Sequence, residues 1–119
     1  MRIRNLELKD ATLMLEWMHD EKVVEYLQGK FRKKTIDDCK SFIVASENKK
    51  NNIHLAIVND EDEYMGTVSL KNIDRINESA EFAITVRRCA MGRGYSWYGM
   101  EEIIDMAFNE LGLESVYWC

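Results

Sequence analysis

Two glycines, Gly92 and Gly94, separate two stretches of the chain in which side chains recur with different periods. The stretch before them, 80–87, alternates in the manner of a β-strand, with one face made of Phe82, Ile84 and Val86 and the other of Glu81, Ala83 and Thr85. The stretch after them is spaced like a helix, and its apolar stripe consists of Met100, Ile103, Ile104, Ala107, Phe108 and Leu111. The sequence therefore predicts a strand, a glycine turn and an amphipathic helix in succession.

This strand, turn and helix make the segment 91–96, Met-Gly-Arg-Gly-Tyr-Ser, a candidate phosphate site. A helix N-terminus offers unpaired N–H groups and the positive end of a dipole, and glycines let a phosphate approach the backbone closely. Arg87, Arg88 and Arg93 are candidates to pair with the phosphates, and Arg93 is favoured because it lies inside the turn. Read alone, Gly-x-Gly also fits a turn that only redirects the chain.

The remaining periodicities predict two early helices and a meander of strands. The first helix is expected after Asp10 as N-cap, and the second after a capping box that runs from Thr35 to Asp38. Gly112 is placed as a left-handed C-cap of the last helix. The predicted strands are 2–7, 55–58, 64–70, 80–87 and 115–119.

Composition limits the class of protein and its partners. At 119 residues with 46% hydrophobic side chains, the chain is expected to fold as one domain, residues 1–119. A net charge of −5 argues against a nucleic-acid partner, and the absence of a long apolar run argues against a signal peptide or membrane segment. Three widely spaced cysteines favour the cytoplasm, and two histidines make a metal site a poor hypothesis.

The order of elements resembles the GNAT superfamily of N-acetyltransferases, especially its ribosomal-protein N-terminal acetyltransferase-like branch. Three segments carry the resemblance, which extends over essentially all of the chain: 13–18 as the first helix, 80–84 as the fourth strand and 90–95 as the pyrophosphate loop. The resemblance implies an α/β (α+β) fold, the GNAT acyl-CoA N-acyltransferase fold, in which helices flank a mixed, mostly antiparallel sheet.

The resemblance also implies acetyl-CoA as co-substrate, with no metal. The superfamily's loop pattern is Gln or Arg, two residues, Gly, one residue, then Gly or Ala, and it falls here on Met91, Gly94 and Ser96, of which the first and last depart from it. In the family the thioester arm lies along the fourth strand. The cofactor-binding residues implied are Ile84, Thr85, Val86, Met91, Gly92, Arg93, Gly94, Tyr95 and Ser96.

Glu81 is the candidate catalytic residue. Some family members carry a carboxylate at the start of this strand, where it takes a proton from the acceptor amine directly or through water. A backbone N–H between Ile84 and Val86 is expected to stabilise the oxyanion of the thioester carbonyl. The alternative is that Glu81 is a solvated residue beside a turn. The resemblance implies a primary amine as acceptor, of a small molecule or a protein N-terminus.

A full GNAT domain continues after the fifth strand with a helix and two strands that carry an Asn and a Tyr, and this sequence does not contain them. The resemblance therefore predicts a C-terminally truncated domain with weak or no transfer activity. Val116, Tyr117 and Trp118 would lack a covering element, which predicts a homodimer through the C-terminal regions.

Two other functions remain open at this point. A non-catalytic acyl-CoA-binding or regulatory module would use the same loop without turnover. A dinucleotide-binding domain fits less well, because Trp97 stands where its fingerprint needs a third glycine and the preceding strands are predicted to form a meander.

Overall fold

One mixed sheet of five strands forms the centre of the computed structural model, which describes residues 1–25, 31 and 33–118. The strands lie in chain order as β1 (Arg2–Asn5), β2 (Ile53–Val58), β3 (Tyr64–Asp74), β4 (Ser79–Val86) and β5 (Ser115–Trp118). The pairs from β1 to β4 are antiparallel, and β5 joins β4 in parallel. The predicted mixed, mostly antiparallel sheet is confirmed, although Cys119, the predicted end of β5, lies outside the described residues.

Helices cover both faces of this sheet. The helices are α1 (Ala11–Met18), α2 (Glu21–Val24), α3 (Ile36–Ala45) and α4 (Tyr95–Asp105). One apolar core joins α1 and α3 to the sheet, and a second joins α4 to the opposite face. The single turn of α2 was not predicted, because four residues are too few to show a helical period.

Asp10 occupies the predicted N-cap position of α1, but its side chain does not cap this helix. Asp10 is almost completely buried, and its carboxylate caps no N–H of that helix. It accepts two hydrogen bonds of 2.8 Å from the guanidinium of Arg4 and a third of 2.8 Å from the backbone N–H of Glu7. Arg4 on β1 thus attaches the first strand to the start of α1, a contact that local sequence patterns do not show.

The predicted capping box at the start of α3 is confirmed. The hydroxyl of Thr35 accepts a hydrogen bond of 3.3 Å from the N–H of Asp38, and the Asp38 carboxylate accepts one of 2.8 Å from the N–H of Thr35. Two of the free N–H groups at this end of the helix are therefore satisfied, which fixes where α3 begins.

The predicted burial of Phe108 is wrong, because the helix changes its period before that residue. After α4 the chain forms a π-helical turn, Met106–Glu110, in which the N–H of Leu111 donates to the carbonyl of Met106 at 3.0 Å. A π turn contains more residues than an α turn, so it rotates the following side chains away from the sheet. Phe108 is 41% exposed, whereas Gly112 has the predicted left-handed conformation, with φ 68°.

Candidate functional site

The outer edge of β4 is open beyond its first four residues. The parallel pairing with β5 covers Ser79 to Phe82, and no strand among the described residues lies on that side of Ile84 and Val86. Backbone N–H and C=O groups on this edge are thus available to a ligand that pairs like a strand. A cavity of about 250 Å³ borders the edge, and it is lined by Val23, Ile84, Thr85, Val86, Met91, Gly92 and Ser96.

The glycine turn forms the other side of this edge cavity. Gly92 and Gly94 both have positive φ, 74° and 89°, and Gly94 is the N-cap residue of α4. Glycine is needed there because other residues rarely adopt this conformation. The first N–H groups of α4, from Tyr95 onward, have no acceptor within the helix and point out of its N-terminus. Six predicted cofactor-binding residues line the cavity; Arg93, Gly94 and Tyr95 belong to the turn without lining it.

Arg87, one of the three arginines predicted near the phosphates, forms ion pairs within the protein instead. Its side chain is 10% exposed and donates to both carboxylate oxygens of Glu16, at 2.9 and 3.1 Å, and to Glu63 at 3.0 Å. These contacts raise the pKa of Arg87 above its ordinary value. Arg88 is exposed and lies 4.0 Å from Asp20, and Arg93 is exposed on the turn.

A second cavity, of about 300 Å³, lies between the sheet and the helices α1 and α3. We call it the inner cavity. Its lining residues on the helices and their connection are Met14, Trp17, Met18, Phe31, Lys34, Asp38 and Phe42, and those on the strands are His54, Thr67, Ser69, Lys71, Ala83, Ile84 and Thr85. Ile84 and Thr85 line the edge cavity as well. The two cavities therefore meet at the middle of β4.

Four residues of the lining, Trp17, Thr67, His54 and Ser69, belong to two hydrogen-bonded groups of side chains. The indole N–H of Trp17 donates to the Tyr64 hydroxyl at 2.9 Å, and that hydroxyl lies 2.6 Å from Thr67 Oγ1. Burial raises the pKa of Tyr64, so the phenol stays protonated. In the second group, His54 Nδ1 lies 2.6 Å from Ser69 Oγ. No local sequence pattern marks this cavity, because its lining comes from five separated elements.

The His54 imidazole is held neutral inside the cavity. Its ring packs against Phe42 with centroids 4.7 Å apart. Burial, helped by the positive charges of Lys71 and Lys49, lowers the pKa of His54 from 6.5 to about 4. From the sequence, metal binding was the role weighed for this histidine, and a packed neutral ring was not predicted. No group of three or more His, Cys, Asp or Glu side chains in the described part of the chain is arranged to hold a metal ion.

Glu81 lies on the same face of β4 as Ala83 and Thr85, as predicted, but next to the inner cavity and not in its lining. It is buried, so the solvated alternative does not describe it. Its Oε2 accepts a hydrogen bond of 3.0 Å from Asn72 Nδ2 and lies 3.9 Å from Lys71 Nζ. Asn72 follows Lys71 at a register shift of β3, with φ 51°. The irregular backbone there directs the amide toward Glu81.

We expect the stability of the protein to depend on pH through the protonation of His54. An unfolded chain binds a proton at this ring below about pH 6.5, whereas the folded chain does so only near pH 4. The free energy of unfolding should therefore fall as the pH falls through this window. His54→Gln should make the thermal midpoint less sensitive to pH between 6.5 and 4. His19→Gln, at an exposed histidine, is the control and should keep the parent's slope; an equal slope in both variants would contradict the prediction.

Gly66 on β3 determines how closely β3 approaches the site strand. A Cβ at Gly66 would lie 2.5 Å from the carbonyl oxygen of Thr85 and 2.9 Å from the Cα of Val86, which are backbone atoms. Gly66→Ala should therefore displace β4 and cost about 2 kcal/mol of stability. Because the displaced residues border the edge cavity, affinity for acetyl-CoA should fall as well. Denaturant unfolding and calorimetry measure the two effects; an unchanged affinity would show that the position of β4 does not matter to the ligand.

Comparisons with known proteins agree with this architecture. The family model described as an acetyltransferase (GNAT) domain matches residues 1–119. A curated relative, the uncharacterized N-acetyltransferase p20 of Bacillus licheniformis, is 26% identical over 125 residues, which cover 98% of this chain and 67% of that protein.

Solved structures share the fold. The spermidine N-acetyltransferase of Vibrio cholerae in complex with CoA and spermine superposes with a TM-score of 0.86 at 20% identity, over 98% of this chain and 69% of that one. A probable acetyltransferase superposes with a TM-score of 0.83 at 26% identity, over 98% and 67%. The chain thus spans about two thirds of the length of these proteins.

Proposed function

Because the chain belongs to the GNAT family of acetyltransferases, which use acetyl-CoA, we propose that it transfers the acetyl group of acetyl-CoA directly to a primary amine, with Glu81 and the glycine turn as its site residues. The observation that carries this proposal is the meeting of two cavities at Ile84 and Thr85. One cavity opens beside a helix N-terminus suited to a pyrophosphate, and the other is lined mainly by apolar side chains on its helix side. A cofactor at the open edge of β4 and an acceptor under α1 and α3 would come together there.

In the proposed reaction the edge cavity holds the cofactor. The pyrophosphate lies against the N–H groups of the turn 91–96, and the thioester arm lies along the open edge of β4 from Ile84 to Val86. The nitrogen of the acceptor amine attacks the thioester carbonyl carbon, and a backbone N–H of β4 stabilises the negative charge that develops on the oxygen. The carbon–sulfur bond then breaks and the CoA thiolate leaves; the attacking nitrogen loses its second proton to become the amide, and this proton converts the thiolate to the thiol.

Glu81 takes the proton that the amine must lose. Its carboxylate is held by Asn72 and lies on the face of β4 that borders the inner cavity. Glu81 and Thr85 are four positions apart, which corresponds to about 13 Å along a strand. A proton from an amine at Thr85 therefore needs a chain of several water molecules to reach the carboxylate.

The chemical class of the acceptor amine is a more specific part of the proposal. The fold is shared with an enzyme named for spermidine, but 20% identity supports a likeness of fold alone. A ribosomal-protein N-terminus, as in the branch that the sequence resembles, is a second class of amine. A homodimer and a cytoplasmic location, both argued from the sequence, stay predictions.

The test is to mix the purified chain with acetyl-CoA and a panel of amines, and to measure cofactor affinity by calorimetry and the release of CoA thiol over time. Binding with thiol release that depends on the amine supports transfer. Binding without release to any amine supports the alternative of a non-catalytic acyl-CoA-binding module. A chain that does not bind acetyl-CoA contradicts both.

A further inference from the structure

We infer that the Thr67 hydroxyl binds the reacting nitrogen of the acceptor amine, and that Tyr64 holds this hydroxyl in place. The inference rests on the proposed function, since it concerns the amine that attacks acetyl-CoA. It follows from the hydrogen bonds of three buried side chains, from the register of β3 against β4 and from the lining of the inner cavity.

Trp17, Tyr64 and Thr67 form a directed series of hydrogen bonds. The indole N–H of Trp17 can only donate, so the Tyr64 oxygen accepts it, at 2.9 Å. Tyr64 is 1% exposed, so its own hydrogen needs an acceptor inside the protein, and Thr67 Oγ1 lies 2.6 Å away. Tyr64 therefore donates to Thr67, and the direction of both hydrogen bonds is fixed.

This direction leaves part of the Thr67 hydroxyl unused. A hydroxyl group has two lone pairs and one hydrogen, and the hydrogen of Tyr64 occupies one of the lone pairs. Within the described part of the chain, the Thr67 hydroxyl makes no other hydrogen bond. One lone pair and the hydroxyl hydrogen therefore remain for a ligand or for water. Because Thr67 lines the inner cavity, a ligand would meet them there.

Thr67 lies where the two substrates of the proposed reaction would meet. It is the partner of Thr85 in the pairing of β3 with β4, and the Cβ atoms of such partners lie about 4.5–5.5 Å apart on one face of the sheet. Thr85 lines both cavities. The cofactor would lie along the outer edge of β4, whereas Thr67 lies on the other side of that strand. A nitrogen placed over Thr85 would therefore have the thioester on one side and the Thr67 hydroxyl on the other.

An amine nitrogen needs a hydrogen-bond acceptor at this position. The nitrogen carries N–H donors, and an N–H that is buried without an acceptor costs free energy. The helix side of the cavity supplies mainly apolar side chains, among them Met14, Trp17 and Phe42. The unused lone pair of Thr67 accepts one N–H, and the Thr67 hydrogen donates to a water molecule. Because the contact uses an N–H, it leaves the lone pair of the neutral amine free to attack the thioester.

The test removes the Thr67 hydroxyl at nearly constant volume. Thr67→Val should lower kcat/KM by about tenfold for benzylamine and for n-butylamine, as the loss of one hydrogen bond would, and should leave the affinity for acetyl-CoA unchanged. The factor should be the same for both amines, because they share the reacting nitrogen and differ in the rest of the molecule. Thr67→Ser keeps the hydroxyl and should stay within about threefold of the parent.

Ser46→Ala is the matched control. It removes another buried hydroxyl, which donates to the carbonyl of Ile43 at 2.6 Å at the end of α3 and lines neither cavity. This variant should keep the parent's kcat/KM for both amines. The thermal midpoint of each variant reports the loss of a buried hydrogen bond separately from the loss of transfer.

Tyr64→Phe tests the positioning role of the phenol. The variant keeps the Thr67 hydroxyl but removes the hydrogen bond that orients it, so kcat/KM should fall by about threefold. In the Thr67→Val background the same change should have no further effect, because Tyr64 acts through the Thr67 hydroxyl. Equal losses in both backgrounds would overturn the role of Tyr64.

The outcomes distinguish this inference from the proposed function. Turnover by the parent that Thr67→Val leaves unchanged overturns the inference and leaves acetyl transfer standing. An equal loss in Thr67→Val and Thr67→Ser would assign the effect to packing, and a loss of acetyl-CoA affinity in Thr67→Val would place the hydroxyl at the cofactor; either result overturns the contact with the amine. A parent that acetylates no amine overturns the proposed function, and the inference with it.

Discussion

Gly94→Glu is expected to weaken the binding of acetyl-CoA by at least about 100-fold while the chain remains folded. Gly94 has φ 89° at the N-cap of α4, so a side chain there disturbs the backbone that presents its N–H groups. The new carboxylate would also repel the pyrophosphate, and the loss of charge-assisted hydrogen bonds accounts for an effect of this size. A Cβ at this position would lie 3.6 Å from the Met1 methyl group, an ordinary contact. Calorimetry and circular dichroism measure affinity and folding.

Gly112→Glu is the matched control for this variant. Gly112 also has positive φ, 68°, and a Cβ there would meet nothing within 4 Å. The two variants therefore introduce the same charge and a similar backbone strain, at opposite ends of the helical segment that begins with α4. Affinity should be unchanged in Gly112→Glu. An equal loss in both variants, or no loss at Gly94, would contradict the placement of the pyrophosphate at the turn.

The order of elements could be predicted because each long element has its own period. The alternation in β4 and the capping box at Thr35 are local patterns, and the structure contains both. The failures are contacts or geometries that the local pattern does not encode. Asp10 fits an N-cap by type, yet Arg4 binds it from a neighbouring strand. Phe108 fits the apolar stripe, yet a π turn rotates it outward.

The candidate site also has one part that local sequence patterns predict and one part that they do not. The turn 91–96 and the open edge of β4 are continuous in sequence, so a motif could point to them. The inner cavity is assembled from side chains as distant in the chain as Trp17, His54 and Thr85, and no spacing rule connects these residues. For Arg87 a local pattern was misleading. Its position beside the turn suggested phosphate binding, whereas its guanidinium donates to the carboxylate of Glu16, 71 positions away. Sequence predicts where a cofactor would bind better than where an acceptor would.

Glu81→Gln is expected to lower kcat by about 100-fold or more without changing the affinity for acetyl-CoA. Glutamine has nearly the same size, and its amide oxygen can still accept the hydrogen bond that Asn72 donates at 3.0 Å. The variant loses the ability to take a proton, and general-base catalysis contributes a factor of about 10² to 10⁴. Calorimetry measures the affinity, and steady-state rates of thiol release measure kcat.

The pH profile distinguishes a base from a residue that only maintains the fold. Below its pKa the acceptor amine is mostly protonated, so the rate depends most on Glu81 at low pH, and the deficit of Glu81→Gln should shrink as the pH rises and free amine becomes abundant. A structural defect would lower the rate by a similar factor at every pH. Glu102→Gln, at an exposed carboxylate of α4, is the control and should follow the parent at each pH. A full rate in Glu81→Gln would mean that the proton leaves the amine by another path, and the buried carboxylate would then serve to hold Asn72 and Lys71 at the end of β3.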